Sequence, residues 1–339
     1  MKQFDLLAIG EPLLRLSPPL TERLVLSRSL EKQVGGAELN VLSGVSLLGL
    51  RTGIISKIPS NDIGRYVRSK IRFNGVSDDY LIYDPDPGSR MGVYYYESGA
   101  YPRKPRVVYD RANSAFCSVD IQDFDPEIYA STRCFHTSGI TLGLNPLTRR
   151  TAVEMIKRFK EAGALISFDV NFRATLWSGE EARACIEEIL PYVDIFFCSE
   201  STAKLTFHKS GSLEEIMRSF AKEYPVRIIA STQRTVHSPK VHDFGSVLYC
   251  AEEDHFYTEE PYRNIEVVDR IGSGDAYVGG ILYGLLSEPR NYQRALQYGN
   301  AASSVKNTIP GDLPSSDKAE LDSIIRDHNQ AGEVSEMNR

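Results

Sequence analysis

The alternation of helical and strand patterns between residues 145 and 230 constrains this fold more than any other feature. Strands that alternate with helices at this spacing pair in parallel, so we expect a parallel sheet with helices on both faces. Ligands of such sheets bind at the carboxyl ends of the strands, where Arg173 and Ser199 fall. The predicted elements are helix 147–162, strand 165–170, helix 180–190, strand 194–198 and strand 226–230.

The segment from Asp269 to Gly280 carries the strongest functional signal. A β-branched run at 265–268 predicts a short buried strand, and helical spacing after it predicts a helix that opens near Gly274. Gly272 and Gly274 let backbone amides, including that of Ser273, approach a ligand closely. Unpaired amides at a helix N-terminus bind phosphate. An adjacent carboxylate, Asp275, suits phosphoryl transfer, in which it accepts the proton of the attacking hydroxyl.

The alternative interpretation is an ordinary strand–turn–helix junction with a capping Asp. Asp269 and the Gly279–Gly280 pair favour the functional interpretation over this one. The chain has neither a G-x-x-x-x-G-K-[ST] phosphate loop nor an early dinucleotide fingerprint, which argues against a P-loop enzyme and an oxidoreductase. A second glycine pair, Gly35–Gly36, opens a helix whose first turn carries Asn40, and this arrangement suits contact with sugar hydroxyls.

Both segments resemble signatures of the ribokinase-like (PfkB) carbohydrate kinases. Residues 269–280 match D-x-x-G-A-G-D-x-F-x-G-G with Ser273 for Ala and Tyr277 for Phe, and residues 35–40 match G-G-A-x-x-N. The resemblance implies a three-layer α/β/α domain over residues 1–328, with a mostly parallel central sheet and a small β-sheet lid. We expect the lid at about 13–34 and 88–116, and a flexible tail at 329–339. It further implies ATP and Mg²⁺ as cofactors, and a homo-oligomer formed through the lid.

Within this family, the segments that contain Tyr94, Tyr109 with Arg111, and Arg173 are similar to those of the 2-keto-3-deoxygluconate kinases. The resemblance implies that Tyr94, Tyr109, Arg111 and Arg173 contact the substrate. A sugar carboxylate favours the fixed fork of a guanidinium, which Lys does not supply. Because D-x-N-x-R also occurs in fructokinases, Arg111 carries more weight than Arg173. Asp312 is expected either to reach the substrate region or to serve as a turn residue before Pro314.

The nucleotide side departs from the family pattern at two places. The N-x-x-E motif reads Ser199-Glu200-Ser201-Thr202 here, so the carboxylate that helps to hold magnesium is absent and the metal ligands stay unassigned. The compact glycine-rich loop after Ser231 is replaced by a longer path to Gly245, with Arg234 expected near the phosphates. The predicted nucleotide contacts are Ser199, Ser231, Arg234, Gly245, Gly272, Gly274 and Asn300.

The composition limits the remaining classes of function and the cellular location. The net charge of −6 gives no support for nucleic-acid binding. Five cysteines without a C-x-x-C pair indicate reduced thiols in a cytoplasmic protein. The first apolar run, residues 4–9, is too short for a signal peptide or a membrane span and predicts a strand. The six histidines lack metal-ligand spacing, and His136 is expected to be a core residue.

The sequence therefore predicts an ATP-dependent kinase that phosphorylates the terminal hydroxyl of 2-keto-3-deoxygluconate. Asp275 would act as the base, and the amides of residues 272–275 would form the anion hole. One alternative is a kinase of neutral sugars of the fructokinase or ribokinase type. The other is a catalytically weak sugar- or nucleotide-binding sensor, which Thr202 suggests.

Overall fold

The computed structural model describes residues 2–330, in which strands and helices alternate along most of the chain. The strands are β1 (Phe4–Ile9), β2 (Leu13–Ser17), β3 (Glu31–Gly35), β4 (Thr52–Pro59), β5 (Ser77–Asp84), β6 (Val93–Glu97), β7 (Arg106–Asp110), β8 (Thr132–Ser138), β9 (Leu165–Asp169), β10 (Ile195–Phe197), β11 (Ile228–Ser238), β12 (Val241–Cys250), β13 (His255–Tyr257) and β14 (Tyr262–Glu266). The helices are α1 (Ala37–Leu47), α2 (Asp62–Phe73), α3 (Gly139–Gly143), α4 (Pro146–Glu161), α5 (Gly179–Ile189), α6 (Glu200–Thr206), α7 (Leu213–Glu223), α8 (Ser273–Ser287), α9 (Tyr292–Asn307) and α10 (Lys318–Asn329). None of these helices is long and apolar enough to cross a membrane.

The main sheet has the strand order β13-β12-β11-β10-β9-β8-β1-β4-β5, and β14 also pairs with β12. Strands β11, β10, β9, β8, β1, β4 and β5 run parallel to their neighbours, whereas β12, β13 and β14 form an antiparallel edge. This arrangement confirms the expectation of a mostly parallel central sheet.

Helices cover both faces of this sheet because its strands are apolar on both sides. In β1, Leu7 and Ile9 belong to the core shared with α4, α5 and α7, whereas Leu6 and Ala8 belong to the core shared with α1, α8 and α9. A sheet that is buried on both faces requires such apolar strands. The two cores give the three layers that the sequence predicts.

A second sheet of four strands, with the order β3-β2-β6-β7, forms the lid. Two antiparallel hairpins, β2–β3 and β6–β7, meet through parallel pairing of β2 with β6. The strands fall within the two segments predicted for the lid. Tyr94 and Tyr96 lie on one face of β6 and are both buried, as their alternation in the sequence predicts.

Local differences from the prediction have simple causes. The strand expected at 265–268 is β14 (Tyr262–Glu266), an antiparallel edge strand, and Val268 beyond it is half exposed. Strand β11 continues to Ser238 because it pairs with β12 along its whole length, where a loop was expected. The predicted tail begins at the last residue of α10, and residues 331–339 lie outside the described residues.

Candidate active site

Helix α8 begins at a tight turn that depends on a glycine. Gly272 precedes the helix with a φ of 80°, and a Cβ placed there would lie 2.1 Å from the carbonyl oxygen of Asp312. No side chain caps the helix, and the Ser273 hydroxyl donates to the carbonyl of Arg270 at 2.9 Å. First-turn amides without an intrahelical partner attract anions, so residues 272–275 remain the predicted anion hole, although the Ser273 amide donates to the Arg270 carbonyl at 3.3 Å.

Asp275 lies in the first turn of α8, where amides from two other elements approach its carboxylate. The Asn40 side chain donates to Oδ2 at 2.7 Å, and the Asn171 side chain lies 3.5 Å from Oδ1. Burial raises the pKa of Asp275 to about 6, and the hydrogen bond from Asn40 opposes that rise. Near pH 7 the group is a carboxylate with a pKa close to the working pH, which suits a general base.

A cavity of about 540 Å³ opens over the carboxyl ends of β9, β10 and β11, with the lid on its other side. Most of the predicted substrate and catalytic residues lie on its wall. They are Gly36, Asn40, Tyr94, Tyr109, Arg111, Arg173, Gly272, Ser273, Gly274, Asp275 and Asp312. Gly35 lies behind the wall, where a Cβ would lie 1.9 Å from Oδ2 of Asp312, so this position supports the cavity by its small size.

A second cavity, of about 800 Å³, lies on the other side of the anion hole. Its walls come from α6, the β11–β12 hairpin and the segment before β14, and they include Gly245 and Glu200. The two cavities share Ser199, Thr232, Arg234, Ser273 and Gly274. Ligands bound in the two cavities would therefore meet at the N-terminus of α8. Asp275 lines only the first cavity.

Two predicted nucleotide contacts need correction. Ser231 is buried in β11 and faces away from both cavities, because side chains alternate along a strand and its neighbours Ala230 and Thr232 take the cavity side. Asn300 is fully buried in α9. It accepts a hydrogen bond from Ser246 at 2.6 Å and donates one to Glu259 at 2.7 Å, so it holds two wall residues in place from behind.

The two predicted carboxylate-binding arginines differ in their partners. Nε of Arg111 donates to Oε2 of Glu11 at 2.8 Å, and its Nη2 lies 2.5 Å from the same oxygen. Glu11 is almost fully buried, so this pair fixes Arg111 at the cavity wall. Arg173 is exposed and forms no ion pair among the described residues. Its charge is therefore the more available of the two.

An ion-pair network around Arg15, which was not predicted from the sequence, joins the lid to the segment that precedes α8. The Arg15 guanidinium lies 2.6 Å from the Asp269 carboxylate and 2.8 Å from that of Asp312, and all three side chains are buried. Tyr94 donates its hydroxyl to the other oxygen of Asp312. The one available signal was an Arg inside the apolar run Leu13–Leu16, which a buried strand tolerates only with a paired charge.

Glu38 and Asp169 are two further acidic groups at the cavity that sequence reasoning missed. Glu38 accepts hydrogen bonds from the Ser138 amide, the Ser138 hydroxyl and the Thr141 hydroxyl, and burial raises its pKa. Burial and the nearby Asp275 raise the pKa of Asp169 to about 7. His136 is a core residue, as expected: its Nδ1 lies 2.9 Å from Ser167 Oγ, and burial lowers its pKa to about 3.

Comparison with known proteins gives the family. The chain matches the pfkB family carbohydrate kinases over residues 3–319. It is 34% identical over 323 residues to a 2-dehydro-3-deoxygalactonokinase from Haloferax volcanii, which covers 95% of this chain and 96% of that protein. A crystal structure of 2-dehydro-3-deoxygluconokinase from Thermotoga maritima has a TM-score of 0.90 at 31% identity, with 95% of this chain and 99% of that one covered.

A more distant structure extends the likeness of fold. The putative ribokinase II from E. coli, crystallised with ATP and Mg²⁺, has a TM-score of 0.82 at 22% identity, with 96% of this chain and 100% of that one covered. The match over residues 3–319 includes the lid, the anion hole and all the cavity residues described above. The chain therefore belongs to the PfkB family and is a carbohydrate kinase.

Proposed function

We propose that this protein transfers the γ-phosphoryl group of ATP to the terminal hydroxyl of 2-keto-3-deoxygluconate. The observation that carries the proposal is the position of Asp275. Its carboxylate lines a cavity of sugar size, in the same helical turn as the amides that separate this cavity from a second one. A phosphoryl donor in the second cavity and an acceptor in the first would meet at a base and an anion hole.

The residues present support an in-line transfer. The acceptor hydroxyl gives its proton to Asp275 while its oxygen forms a bond to the γ-phosphorus. The bond from that phosphorus to the β,γ-bridging oxygen breaks, and ADP leaves with the electron pair. Amides at the N-terminus of α8 stabilise the negative charge on the transferring group without reorganisation. Arg234, which lines both cavities, supplies a positive charge beside the same group.

The proposed acid substrate rests on the charges at the first cavity. Among residues 2–330 Arg173 forms no ion pair and offers its guanidinium there, and Arg111 adds a second one that Glu11 holds in place. Tyr109 of the lid lines the same wall. A planar guanidinium recognises a carboxylate through paired hydrogen bonds. The names of the Haloferax and Thermotoga relatives, which refer to the galactonate and gluconate forms of such an acid, agree with this assignment.

The donor set fits a magnesium ion that is held mainly by nucleotide phosphates and water. Among residues 2–330 no group of three or more His, Cys, Asp or Glu side chains is placed to hold a metal by itself. Mg²⁺ commonly uses only one or two carboxylates beside substrate phosphates. Glu200 lines the second cavity, and only its Oε1 is engaged, by Lys204 at 2.6 Å, so Oε2 is available. When bound, the ion would neutralise charge on the β- and γ-phosphates.

The lid suggests how the protein assembles. We also propose that the protein is cytoplasmic. Strand β7 is an edge strand of the lid sheet, and every residue in it is exposed. Val107 and Val108 are 39% and 49% exposed, which is high for β-branched residues at an unpaired edge. Such an edge invites pairing with another strand, so we propose a homo-oligomer through the lid. Size-exclusion chromatography with light scattering should show the oligomer, and Val108→Lys should shift it to monomer.

A coupled ADP-release assay with ATP and Mg²⁺ tests the proposed reaction. The acceptors are 2-keto-3-deoxygluconate, 2-keto-3-deoxygalactonate, fructose and ribose. Asp275→Asn removes the base, and Asp62→Asn is the matched control, because Asp62 is exposed in α2. Turnover of the keto acids that is lost only in Asp275→Asn is the expected result. Turnover of fructose or ribose instead would make the protein a neutral-sugar kinase, and binding without any turnover would favour the sensor.

A further inference from the structure

A separate cleft of about 400 Å³ lies between the lid and the β11–β12 hairpin. One wall is formed by Tyr96, Ser98 and Gly99 at the end of β6, with Lys104 and Pro105. The facing wall is formed by the end of the hairpin, which includes Lys240 and His242. Its floor consists of Val267, Val268 and Arg270. Its volume lies within the range of small-molecule sites in proteins. It shares Arg270 with the first cavity, which contains Asp275 and is called the sugar cavity below. It shares no residue with the second cavity, called the nucleotide cavity below.

The charges around this cleft are of one sign. Lys104, Lys240 and Arg270 line it, and no Asp or Glu does. None of these three cations forms an ion pair in the described part of the chain. Cations that converge on a cleft without acidic partners create a positive potential that concentrates anions. This contrasts with the sugar cavity, where Arg111 is paired with Glu11 and Asp312 with Arg15.

His242 supplies an independent indication of a ligand. Its side chain is only 2% exposed, it lines the cleft, and its Nδ1 has no hydrogen-bond partner. Buried polar groups are nearly always hydrogen-bonded, so an unpartnered ring nitrogen on a residue that lines the cleft is a candidate for a bond to a ligand. Burial, and after it Arg234 and Arg270, lower the pKa of His242, which agrees with a positive local potential.

We propose that this cleft binds a small organic polyanion, a phosphorylated or multiply carboxylated acid. Lys104, Lys240 and Arg270 would bind its negative groups, and Nδ1 of His242 would bond to one of its oxygens. A bound molecule of this kind would contact the lid, the hairpin and the residue that follows Asp269 at once. It would therefore tie the lid to the body of the protein. The site does not depend on which sugar the enzyme phosphorylates.

Titration calorimetry with citrate and with inorganic phosphate tests the site on the full chain. Saturating Mg²⁺ and a non-hydrolysable ATP analogue keep the nucleotide cavity filled, and chloride at equal ionic strength provides the reference. We expect citrate to bind, and Lys104→Gln/Lys240→Gln to weaken that binding by about tenfold or more, because two charge-assisted contacts are lost. Lys70→Gln/Lys222→Gln, which removes the same charge from helices α2 and α7, should leave it unchanged.

Two results would overturn the proposal. One is equal citrate affinity in both double variants, which would mean that the binding is non-specific. The other is loss of citrate binding when the ATP analogue is present, which would place the anion in the catalytic cavities. Hydrogen exchange gives a second measurement that needs no variant: citrate should slow exchange in residues 93–110 and 236–242 together. Slowing confined to residues 199–206 would contradict the site. Neither measurement uses turnover, so failure of the proposed reaction would be distinguishable.

Discussion

Arg15 in a lid strand and Asp269 at the start of the anion-hole segment form a buried ion pair of 2.6 Å. Asp269 also accepts hydrogen bonds from the amides of Ile271 and Gly311, at 3.0 and 3.1 Å. The Asp269 side chain therefore connects the Arg15 guanidinium to the backbone of the turn that precedes α8. Arg15 makes no contact that requires a substrate, so we regard it as a positioning residue.

Replacement of Arg15 should cost both stability and activity. In Arg15→Gln, Asp269 and Asp312 would be left buried without their cation, a change that typically costs about 3–5 kcal/mol. Chemical denaturation measures this loss, and Arg65→Gln is the matched control because its ion pair with Asp62 is exposed and should contribute less than about 1 kcal/mol. At temperatures where the variant stays folded, kcat should fall more than KM rises. A fall in stability with unchanged kcat would mean that Arg15 is only structural.

Asp275→Asn should remove activity and add stability at neutral pH. Loss of a general base costs about 10²–10⁴ in rate. The folded-state pKa of about 6 exceeds the ordinary value of 3.8, so stability falls as the pH rises from about 4 through 6, by at most about 3 kcal/mol. The variant lacks this penalty, and its melting temperature should exceed that of the wild type at pH 7.5 but not at pH 4. Equal differences at both pH values would contradict the raised pKa.

Asn40→Ala should move the acid limb of the pH–rate profile. Its amide bonds to the ionised form of Asp275 at 2.7 Å and thereby lowers the pKa of that carboxyl. Without it the pKa rises, and the limb of kcat should shift above pH 6. Asn171→Ala is the comparison, because its amide lies at 3.5 Å and should matter less. The measurement is kcat between pH 4.5 and 8.5, and an unmoved limb in Asn40→Ala would exclude this bond as a determinant.

Two glycines of the anion hole should respond differently to alanine. Gly272→Ala places a Cβ against the Asp312 carbonyl at a φ of 80°, so it should unfold the turn and cost at least about 1–2 kcal/mol. At Gly274 a Cβ meets no atom within 4 Å, so the fold should be retained or slightly stabilised. Its methyl would instead occupy open space beside the proposed phosphate site. Melting curves and ADP-release rates separate these effects; a stable, fully active Gly274→Ala would argue against the assigned anion hole.

Arg173 and Arg111 should be separable by stability. Loss of a hydrogen bond to a charged group costs about 1.5–3 kcal/mol, so Arg173→Ala should raise KM for the keto acid by about 10–100-fold. Its melting temperature should not change, because Arg173 forms no ion pair among residues 2–330. Arg111→Ala should lower the melting temperature as well, since it leaves Glu11 buried without its partner. An unchanged KM in Arg173→Ala would return the leading role in carboxylate binding to Arg111.

Local patterns were sufficient to predict the fold, and they also led to the predicted anion hole. The spacing of apolar residues predicted the parallel strands and their helices. Gly272, Gly274 and Asp275 could be recognised because a tight turn, free amides and a base must lie within a few residues of one another. Asn40 was recognised in the same way, from its place in the first turn of α1.

Long-range electrostatics could not be predicted in the same way. Arg15 reads as an unremarkable residue in a lid strand, because its partners lie far away in the chain. The pairing of Arg111 with Glu11 likewise joins residues that lie 100 positions apart in the chain. Ser231 was misplaced because the sequence alone does not show which face of β11 points to the cavity, and the structure places Ala230 and Thr232 there.

Strand β2 of the lid contacts residues that are synthesised much later than β2 itself. Leu14 pairs with Val93, and Arg15 bonds to Asp312, which lies 297 residues further along the chain. On the ribosome, β2 emerges early, directly after β1, and carries a guanidinium whose carboxylate partners have not yet been synthesised. Contacts at such separation form late, because loop closure must precede them. The nascent kinase therefore acquires its closed site only after the C-terminal segment has been released, and a chain truncated before Asp312 would expose an unpaired arginine in an incomplete lid.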